Sequence, residues 1–257
     1  MSFRSGIVYF LLVLLGAPVY QEIRYTGNYS TSQAIYDNHH SKLWYHRANT
    51  IDIAIEALKE YPGIEIDVVF ESDQDIYFVQ HDINHPNQGV SLDFFFRGIY
   101  NSKDHYYWID FKNLNETNAA AALHRMEYLI RKYQVDDKLI VESPNAEALG
   151  IFARAGVYTS FWAPPATHPE YNEDISNALA VIEHGLKEYG FNALSGDYTN
   201  YKFLNKYFPD SNIHIWTNGL KTEKDKKIIK ELALKDNIKI ILVDYKNNFL
   251  DFSDFRE

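Results

Sequence analysis

The sequence predicts a closed (β/α)8 barrel formed by a single domain. Beyond about residue 40, eight short β-rich runs alternate with helix-length segments. Strand–helix alternation indicates a parallel sheet, and eight such units indicate a sheet that closes into a barrel. The chain has 257 residues, of which 46% are hydrophobic, so it can bury one core of this size. An open doubly wound sheet is the alternative fold, but no glycine-rich phosphate loop follows the first predicted strand.

The individual elements follow from runs of β-formers and from helical periodicity. Eight principal strands are predicted at 43–46, 63–70, 106–112, 138–143, 157–163, 193–198, 212–218 and 238–245, and a companion run at 76–80 forms a hairpin with the second. Helices are predicted at 50–60, 117–133, 145–155, 173–189 and 222–235, where apolar residues recur at a spacing of three and four. Because no Pro- or Gly-rich linker and no repeat divides the chain, residues 21–257 are predicted to form one domain.

The N-terminus has the order of a secretory signal. A single arginine, Arg4, precedes an apolar run at residues 7–15, and small residues and Pro18 follow. Such a run is too short to span a bilayer comfortably. We therefore expect residues 1–20 to be a signal peptide, with an uncleaved N-terminal anchor as the first alternative and a buried first strand as the second. With a signal peptide, the protein would be exported and either periplasmic or secreted. With an uncleaved anchor, it would be tethered to the membrane.

Charge and cysteine content exclude several classes of function. The formal net charge is -10 and there is no long basic run, which argues against a general affinity for nucleic acid. The chain has no cysteine, so disulfides, thiolate catalysis and cysteine-based zinc sites are excluded, whereas oxygen-ligated metals are not. An anionic ligand would need a local cation. We expect a monomer whose contact with membranes is at most transient.

Two pairs of polar residues stand out at the strand ends. Glu65 and Asp67 lie in the second strand, and Asp110 and Lys112 end the third. A spacing of two sends side chains to the same face of a strand. In a strand whose flanking residues are apolar, two carboxylates that face the barrel axis would repel each other unless a cation lay between them. The simplest such cation is a hard divalent metal.

Further polar and aromatic residues lie at the C-terminal ends of the predicted strands. Strand ends on the C-terminal face are where barrel enzymes build their sites. The other residues at predicted strand ends, including the hairpin, are His46, His81, Asp82, Glu142, Trp162, Ser195, Asp197, Trp216, Asn218 and Asp244.

Two stretches carry a resemblance to a known family. "HRANT" at 46–50 and "GIEIDVVFESDQDIYFVQHD" at 63–82 resemble the opening of the glycerophosphodiester phosphodiesterases, within the superfamily of phospholipase-C-like barrels. "WIDFK", "LIVES" and "IHIWTN" fall where that superfamily has its later motifs. The resemblance implies a TIM barrel of the phospholipase-C-like phosphodiesterase type, in agreement with the strand count.

The resemblance also implies roles for single residues. His46 and His81 would be the catalytic pair, and Lys112 would assist at the phosphate. The ligands of the divalent metal would be Glu65, Asp67 and Asp110. Residues that contact the substrate would be Arg47, Glu142 and Trp216.

The sequence departs from the phosphodiesterases at two points. They usually carry glutamate where Asp110 stands, and the short stretch between His81 and Asp110 leaves no room for their insertion. Aspartate followed two residues later by lysine is more similar to the sphingomyelinase D branch and to the menorins, and Asn49 also fits those relatives. The resemblance therefore indicates the superfamily more firmly than it indicates a glycerol-containing substrate.

The residue types suit phosphodiester cleavage. A bound Mg²⁺ or Ca²⁺ would neutralise the phosphate charge, and Lys112 would stabilise charge on its oxygens. One histidine would accept the proton of the nucleophile while the other protonates the leaving oxygen. We expect metal-dependent cleavage of a glycerophosphodiester or lysophospholipid-type substrate, in which, by resemblance, a substrate hydroxyl attacks first and forms a cyclic phosphate.

Two alternatives remain open at this point. One is a catalytically inactive barrel that binds lipid or carbohydrate. The other is a glycoside hydrolase that uses two strand-end carboxyl groups, Asp110 and Glu142, on either side of a sugar-sized cleft.

Overall fold

A computed structural model describes residues 34–37, 41–84, 89–164, 175–217 and 222–244. The predicted signal peptide or anchor at residues 1–20 lies outside these ranges. Within them, no helix combines the length and the apolar character that crossing a bilayer requires.

The strands lie where the sequence predicts them. They are β1 (Leu43–Tyr45), β2 (Gly63–Glu71), β3 (Ile76–Val79), β4 (Tyr106–Phe111), β5 (Leu139–Ser143), β6 (Tyr158–Trp162), β7 (Ala193–Asp197), β8 (Asn212–Trp216) and β9 (Ile238–Val243). The helices are α1 (Ala34–Asp37), α2 (Ile51–Ala57), α3 (Leu92–Gly98), α4 (Ala119–Tyr133), α5 (Ala146–Arg154), α6 (Ile175–Tyr189), α7 (Tyr201–Tyr207) and α8 (Glu223–Ala233).

The sheet closes on itself. β1 pairs in parallel with both β9 and β2, which completes a ring of eight parallel strands in the order β1, β2, β4, β5, β6, β7, β8, β9. β3 runs antiparallel to the last four residues of β2, as the predicted hairpin requires. The predicted (β/α)8 barrel is therefore confirmed, and the open doubly wound alternative is wrong.

The pleat of the strands separates two cores. A larger apolar cluster lies between the strands and the helices, and a smaller one fills the barrel interior. Along β4, Trp108 belongs to the interior cluster, whereas its neighbour Ile109 belongs to the outer one. The same alternation sends the polar side chains at the strand ends inward, because they lie in register with the interior residues.

Near the N-terminal ends of the strands, α1 contributes to the barrel interior. The Tyr36 hydroxyl lies 2.8 Å from His214 Nε2, and the Ser160 hydroxyl lies 3.0 Å from His214 Nδ1. Tyr36 also contacts the hydroxyl of Tyr158, the first residue of β6. Burial lowers the pKa of His214 to about 3, so the imidazole stays neutral inside the barrel.

Three short helices were not predicted. α3 contains three consecutive phenylalanines (94–96), a composition typical of a strand, and α7 has only seven residues. Both are stabilised by apolar residues buried against the barrel, which are Leu92, Phe95 and Phe96 in α3 and Leu204 in α7. α1 has four residues, too few for a periodic pattern.

Candidate active site

Three carboxylates come together at the C-terminal mouth of the barrel. Asp67 of β2 pairs in register with Asp110 of β4, and Glu65 lies two residues earlier on the same face. One oxygen from each lies within 4.8 Å of the others. Glu65 and Asp67 are each only 1% exposed. We call Glu65, Asp67 and Asp110 the carboxylate cluster.

The carboxylate cluster is short of positive charge. Burial, together with repulsion from Asp67 and Asp110, raises the pKa of Glu65 well above its usual range. Burial also raises the pKa of Asp110, with Lys112 opposing and Asp67 adding to the effect. Glu65 Oε1 and Asp110 Oδ1 are buried without a hydrogen-bond donor among the described residues. Buried, convergent carboxylate oxygens that have no donor are the ligand set that Mg²⁺ or Ca²⁺ prefers.

Lys112 supplies the nearest positive charge. Its Nζ lies 2.7 Å from Asp67 Oδ1 and also pairs with Asp110 Oδ2. Burial alone would lower the pKa of Lys112, but Asp110 and Asp67 outweigh it and raise the pKa, so the ammonium stays charged. When all three carboxylates are ionised, one ammonium leaves two negative charges unbalanced, which is the charge of one divalent cation.

His46 is held by Asp244, which lies at the end of the eighth predicted strand and has no role assigned from the sequence. Directly after β1, its Nδ1 lies 2.7 Å from Oδ1 of Asp244, and its Nε2 lies 3.8 Å from Glu65 Oε2. Asp244 directly follows β9, the strand that pairs with β1. The aspartate therefore favours the tautomer with a proton on Nδ1, which leaves Nε2 facing the carboxylate cluster. The available signal was an aspartate directly after the last barrel strand.

Arg47 contacts the carboxylate cluster through its main chain. It has a positive φ of 59°, and its N–H donates to Glu65 Oε2 at 2.6 Å. Its side chain is exposed at the mouth. The phosphate contact predicted for the guanidinium stays a prediction.

Glu142 lies beside Asp110 on the next strand and is almost fully buried. Oε2 accepts a hydrogen bond of 2.9 Å from Trp108 Nε1. Burial, with repulsion from Asp110, raises the pKa of Glu142 to about 8, so it holds a proton at neutral pH. Asp110 and Glu142 are register neighbours on adjacent parallel strands. They do not flank a cleft from opposite sides, which disfavours the glycoside hydrolase alternative.

Two tryptophans line another part of the mouth. Trp162 ends β6 and Trp216 ends β8, and their rings meet edge to face with centroids 5.3 Å apart. Both side chains are partly exposed. Trp216 was predicted to line the pocket, whereas Trp162, which has the same strand-end position, was not assigned a role.

His81 lies two residues after the end of β3, and its side chain is exposed. The preceding residue, Gln80, donates its N–H to the carbonyl of Asp67 at 3.0 Å, which brings this main chain to the edge of the mouth. Within the described ranges, no contact joins His81 to the carboxylate cluster. The predicted arrangement, in which His46 and His81 face each other, stays a prediction.

An open groove of about 540 Å³ adjoins the site. It is lined by Asn49 to Asp52, Val79, Gln80, Gly89 and Val90. One of its lining residues, Asn49, is hydrogen-bonded to Asp67 of the carboxylate cluster.

Comparison with solved structures finds the same architecture in known enzymes. The chain is similar to a glycerophosphodiester phosphodiesterase from Parabacteroides distasonis, with 17% identity, 80% of this chain and 93% of the other covered, and a TM-score of 0.57. The chain has the fold of the glycerophosphodiester phosphodiesterases. No protein-family model matches the sequence, and a sequence comparison with curated proteins finds no match.

Two further similar structures are those of a phosphodiesterase with a bound product and of a calcium-dependent phospholipase C. A phosphodiesterase from Oleispira antarctica, in complex with the product sn-glycerol-3-phosphate, is 12% identical, with 80% of this chain and 93% of the other covered and a TM-score of 0.57. A calcium-dependent phosphoinositol-specific phospholipase C from a Pseudomonas species is 12% identical, with coverages of 84% and 94% and a TM-score of 0.51.

Proposed function

We propose that the protein is a divalent metal-dependent phosphodiesterase that cleaves a glycerophosphodiester or lysophospholipid-type substrate. The observation that carries the proposal is the buried carboxylate cluster, two of whose oxygens have no donor among the described residues, beside a histidine oriented by an aspartate. The similar folds support the same chemistry, since one of those enzymes is calcium-dependent and another holds sn-glycerol-3-phosphate.

Glu65, Asp67 and Asp110 would hold the metal, which would be Mg²⁺ or Ca²⁺. When bound, the ion would offset the negative charge of the phosphodiester, which otherwise repels a nucleophile. Lys112, already placed between Asp67 and Asp110, would stabilise charge on the phosphate oxygens. The exposed guanidinium of Arg47 would contact the phosphate from the solvent side.

Proton transfer would fall to the two histidines. With Nδ1–H donated to Asp244, His46 Nε2 is free to accept the proton of an attacking hydroxyl on the substrate. His81 would protonate the leaving oxygen. Attack by the neighbouring hydroxyl would give a cyclic phosphate, because that hydroxyl is already held next to phosphorus.

The remaining residues would bind the organic part of the substrate. Trp216, with Trp162, would form one wall, and the protonated Glu142 can donate a hydrogen bond to a substrate oxygen. Val90 in the groove is exposed, as are Ile83 and Phe94, which supports transient contact with a lipid surface. We further propose that the protein is exported or anchored and acts as a monomer.

The experiment is a substrate screen with the metal under control. Purified protein is stripped with a chelator, supplied with Mg²⁺ or Ca²⁺, and assayed on glycerophosphodiesters, lysophospholipids and matched deoxy analogues. We expect metal-dependent cleavage of the hydroxyl-bearing substrates only, with a cyclic phosphate visible by phosphorus NMR.

The histidine roles are tested in the same assay. His46→Ala and His81→Ala should each lower turnover by about 100-fold or more while the fold is retained. Full activity of His81→Ala would overturn the acid assignment. Absence of cleavage under every condition, with lipid or carbohydrate still bound, would favour the inactive binding barrel.

A further inference from the structure

The loop between β1 and α2 is joined to β2 by four hydrogen bonds of its residues Arg47, Ala48 and Asn49. The Arg47 N–H donates to the Glu65 carboxylate at 2.6 Å, and the Ala48 N–H donates to the Glu65 carbonyl at 2.9 Å. The next residue, Asn49, bonds to Asp67. Arg47 therefore holds the carboxylate of Glu65 and Asn49 holds that of Asp67, while Ala48, between them, holds the main chain of Glu65.

Asn49 holds Asp67 at two points. Its Nδ2 donates to Asp67 Oδ2 at 2.6 Å, and its Oδ1 accepts the Asp67 N–H at 2.9 Å. The other carboxylate oxygen, Oδ1, lies 2.7 Å from Lys112 Nζ. The carboxylate plane of Asp67 is thus fixed by an amide on one side and an ammonium on the other.

The loop adopts a strained conformation to form these contacts. Arg47 has a φ of 59°, in the left-handed region, where a residue with a side chain costs about 1–3 kcal/mol. This conformation directs the Arg47 N–H at Glu65. Immediately after Asn49, Thr50 caps α2 by accepting a hydrogen bond from the Ile53 N–H, which fixes the far end of the loop.

We infer that Asn49 is a positioning residue that sets the metal affinity of the site by fixing the orientation of Asp67. The inference rests on the proposed function, because it assigns Asn49 to the same metal site. Asn49 acts through Asp67. Groups that orient a metal ligand in this way typically contribute 10- to 100-fold to metal affinity or activity.

The chain contains a matched control. Asn113 also bridges to β2, since its Oδ1 accepts the Phe70 N–H at 2.9 Å and its Nδ2 donates to the Phe70 carbonyl at 3.0 Å. Its two bonds to β2 go to the main chain of Phe70, three residues beyond Asp67. Loss of either asparagine removes two hydrogen bonds to one strand, but only Asn49 holds a carboxylate of the cluster.

The experiment compares Asn49→Ala, Asn113→Ala and the unaltered full chain. Calorimetry of the chelator-treated proteins gives the affinity for Ca²⁺ and Mg²⁺, and thermal unfolding in chelator gives the stability of each. We expect Asn49→Ala to bind the preferred ion about 10- to 100-fold more weakly. Asn113→Ala should keep its affinity while losing a comparable amount of melting temperature.

Two further measurements complete the test. Excess metal should restore the turnover of Asn49→Ala, which a general loss of structure would not allow. Asn49→Ser, which retains a polar acceptor for the Asp67 N–H, should show the same loss of affinity and serves if Asn49→Ala does not fold.

Failure of the inference and failure of the proposed function give different results. Unchanged metal affinity in the Asn49 variants, with normal binding by the unaltered protein, would overturn the role of Asn49 alone. If Asn113→Ala lost as much metal affinity as Asn49→Ala, the role of Asn49 would also be overturned. If the unaltered protein binds neither ion, the proposed function fails, and this inference fails with it.

Discussion

At the scale of single residues, the site depends on how each charged group is partnered. His46 Nδ1 has Asp244 at 2.7 Å, whereas its Nε2 faces Glu65 at 3.8 Å, beyond hydrogen-bond distance. One ring nitrogen is therefore fixed as a donor and the other is available for proton transfer. Lys112, by contrast, has two carboxylate partners and is held charged. His46 can therefore exchange a proton through Nε2, whereas Lys112 supplies a constant positive charge.

Replacing Asp244 by asparagine tests this assignment. The amide would keep the size of the side chain but could donate to Nδ1 of His46, which would move the proton to Nε2 and block it as a base. We expect Asp244→Asn to lower turnover by about 100-fold or more, with little change in KM, in an assay on the preferred phosphodiester. The pH–rate profile should lose the limb that reports the base. Unchanged turnover would show that His46 does not act as a base through Nε2.

At the scale of elements, the packing of β1 against β2 positions His46, directly after β1, relative to Glu65 of β2 in the candidate site. Gly63 begins β2, and the indole of Trp44, buried in the barrel interior, occupies the space that a side chain would need. A Cβ at Gly63 would lie 2.6 Å from Trp44 Cδ2. Glycine at this position allows the two strands to pair in a register that places His46 beside Glu65.

Gly63→Ala is therefore expected to lower the free energy of unfolding by about 1–3 kcal/mol, because the added methyl group overpacks the interior. Trp44→Leu should also be destabilising, since it leaves a cavity. The double variant should be more stable than the sum of the two single effects predicts, because the methyl group enters that cavity. Urea unfolding of the four proteins measures this coupling, and strictly additive effects would rule out the contact.

At the scale of the whole molecule, buried ionisable groups govern how stability depends on pH. Burial raises the pKa of Glu142 from 4.5 to about 8, so its contribution to stability is full below about pH 4.5 and is lost as pH rises toward 8. Burial also raises the pKa of Glu65 and Asp110. Burial lowers the pKa of His214 from 6.5 to about 3, so its contribution is full above pH 6.5 and is lost as pH falls.

The metal-free protein should accordingly lose melting temperature between pH 6.5 and 8. Saturating Ca²⁺ or Mg²⁺ should abolish that loss, because a bound cation favours the ionised carboxylates and stabilises only the folded state. The Glu142→Gln variant should lose less melting temperature between pH 6.5 and 8, since glutamine has no carboxyl proton to release. Thermal unfolding with and without chelator measures each curve. A flat curve for the unaltered protein in chelator would contradict the assignment of buried, protonated carboxyl groups.

The sequence by itself determined the strands, the barrel and the two same-face carboxylates of β2. These are local properties, because a period of two fixes which face a side chain occupies and a run of β-formers between helical segments fixes the order of elements. The same pattern places the candidate metal ligands, both histidines and Trp216 at strand ends or in the hairpin, whereas their individual roles are implied by the resemblance to the phosphodiesterases. α3 and α7 were missed because packing against the barrel outweighs the propensity of such short segments.

Only the tertiary structure decided which residues become neighbours. His46 and Asp244 are 198 residues apart in the chain and meet because β9 pairs with β1 when the ring closes. Asn49 reaches Asp67 because the β1–α2 loop turns through a left-handed residue, Arg47, which no local pattern indicates. The first contact depends on closure of the barrel and the second on the main-chain geometry of the loop. Each brings together residues that are distant in the sequence. The sequence therefore indicates the candidate site residues, while the fold determines the partners that orient them.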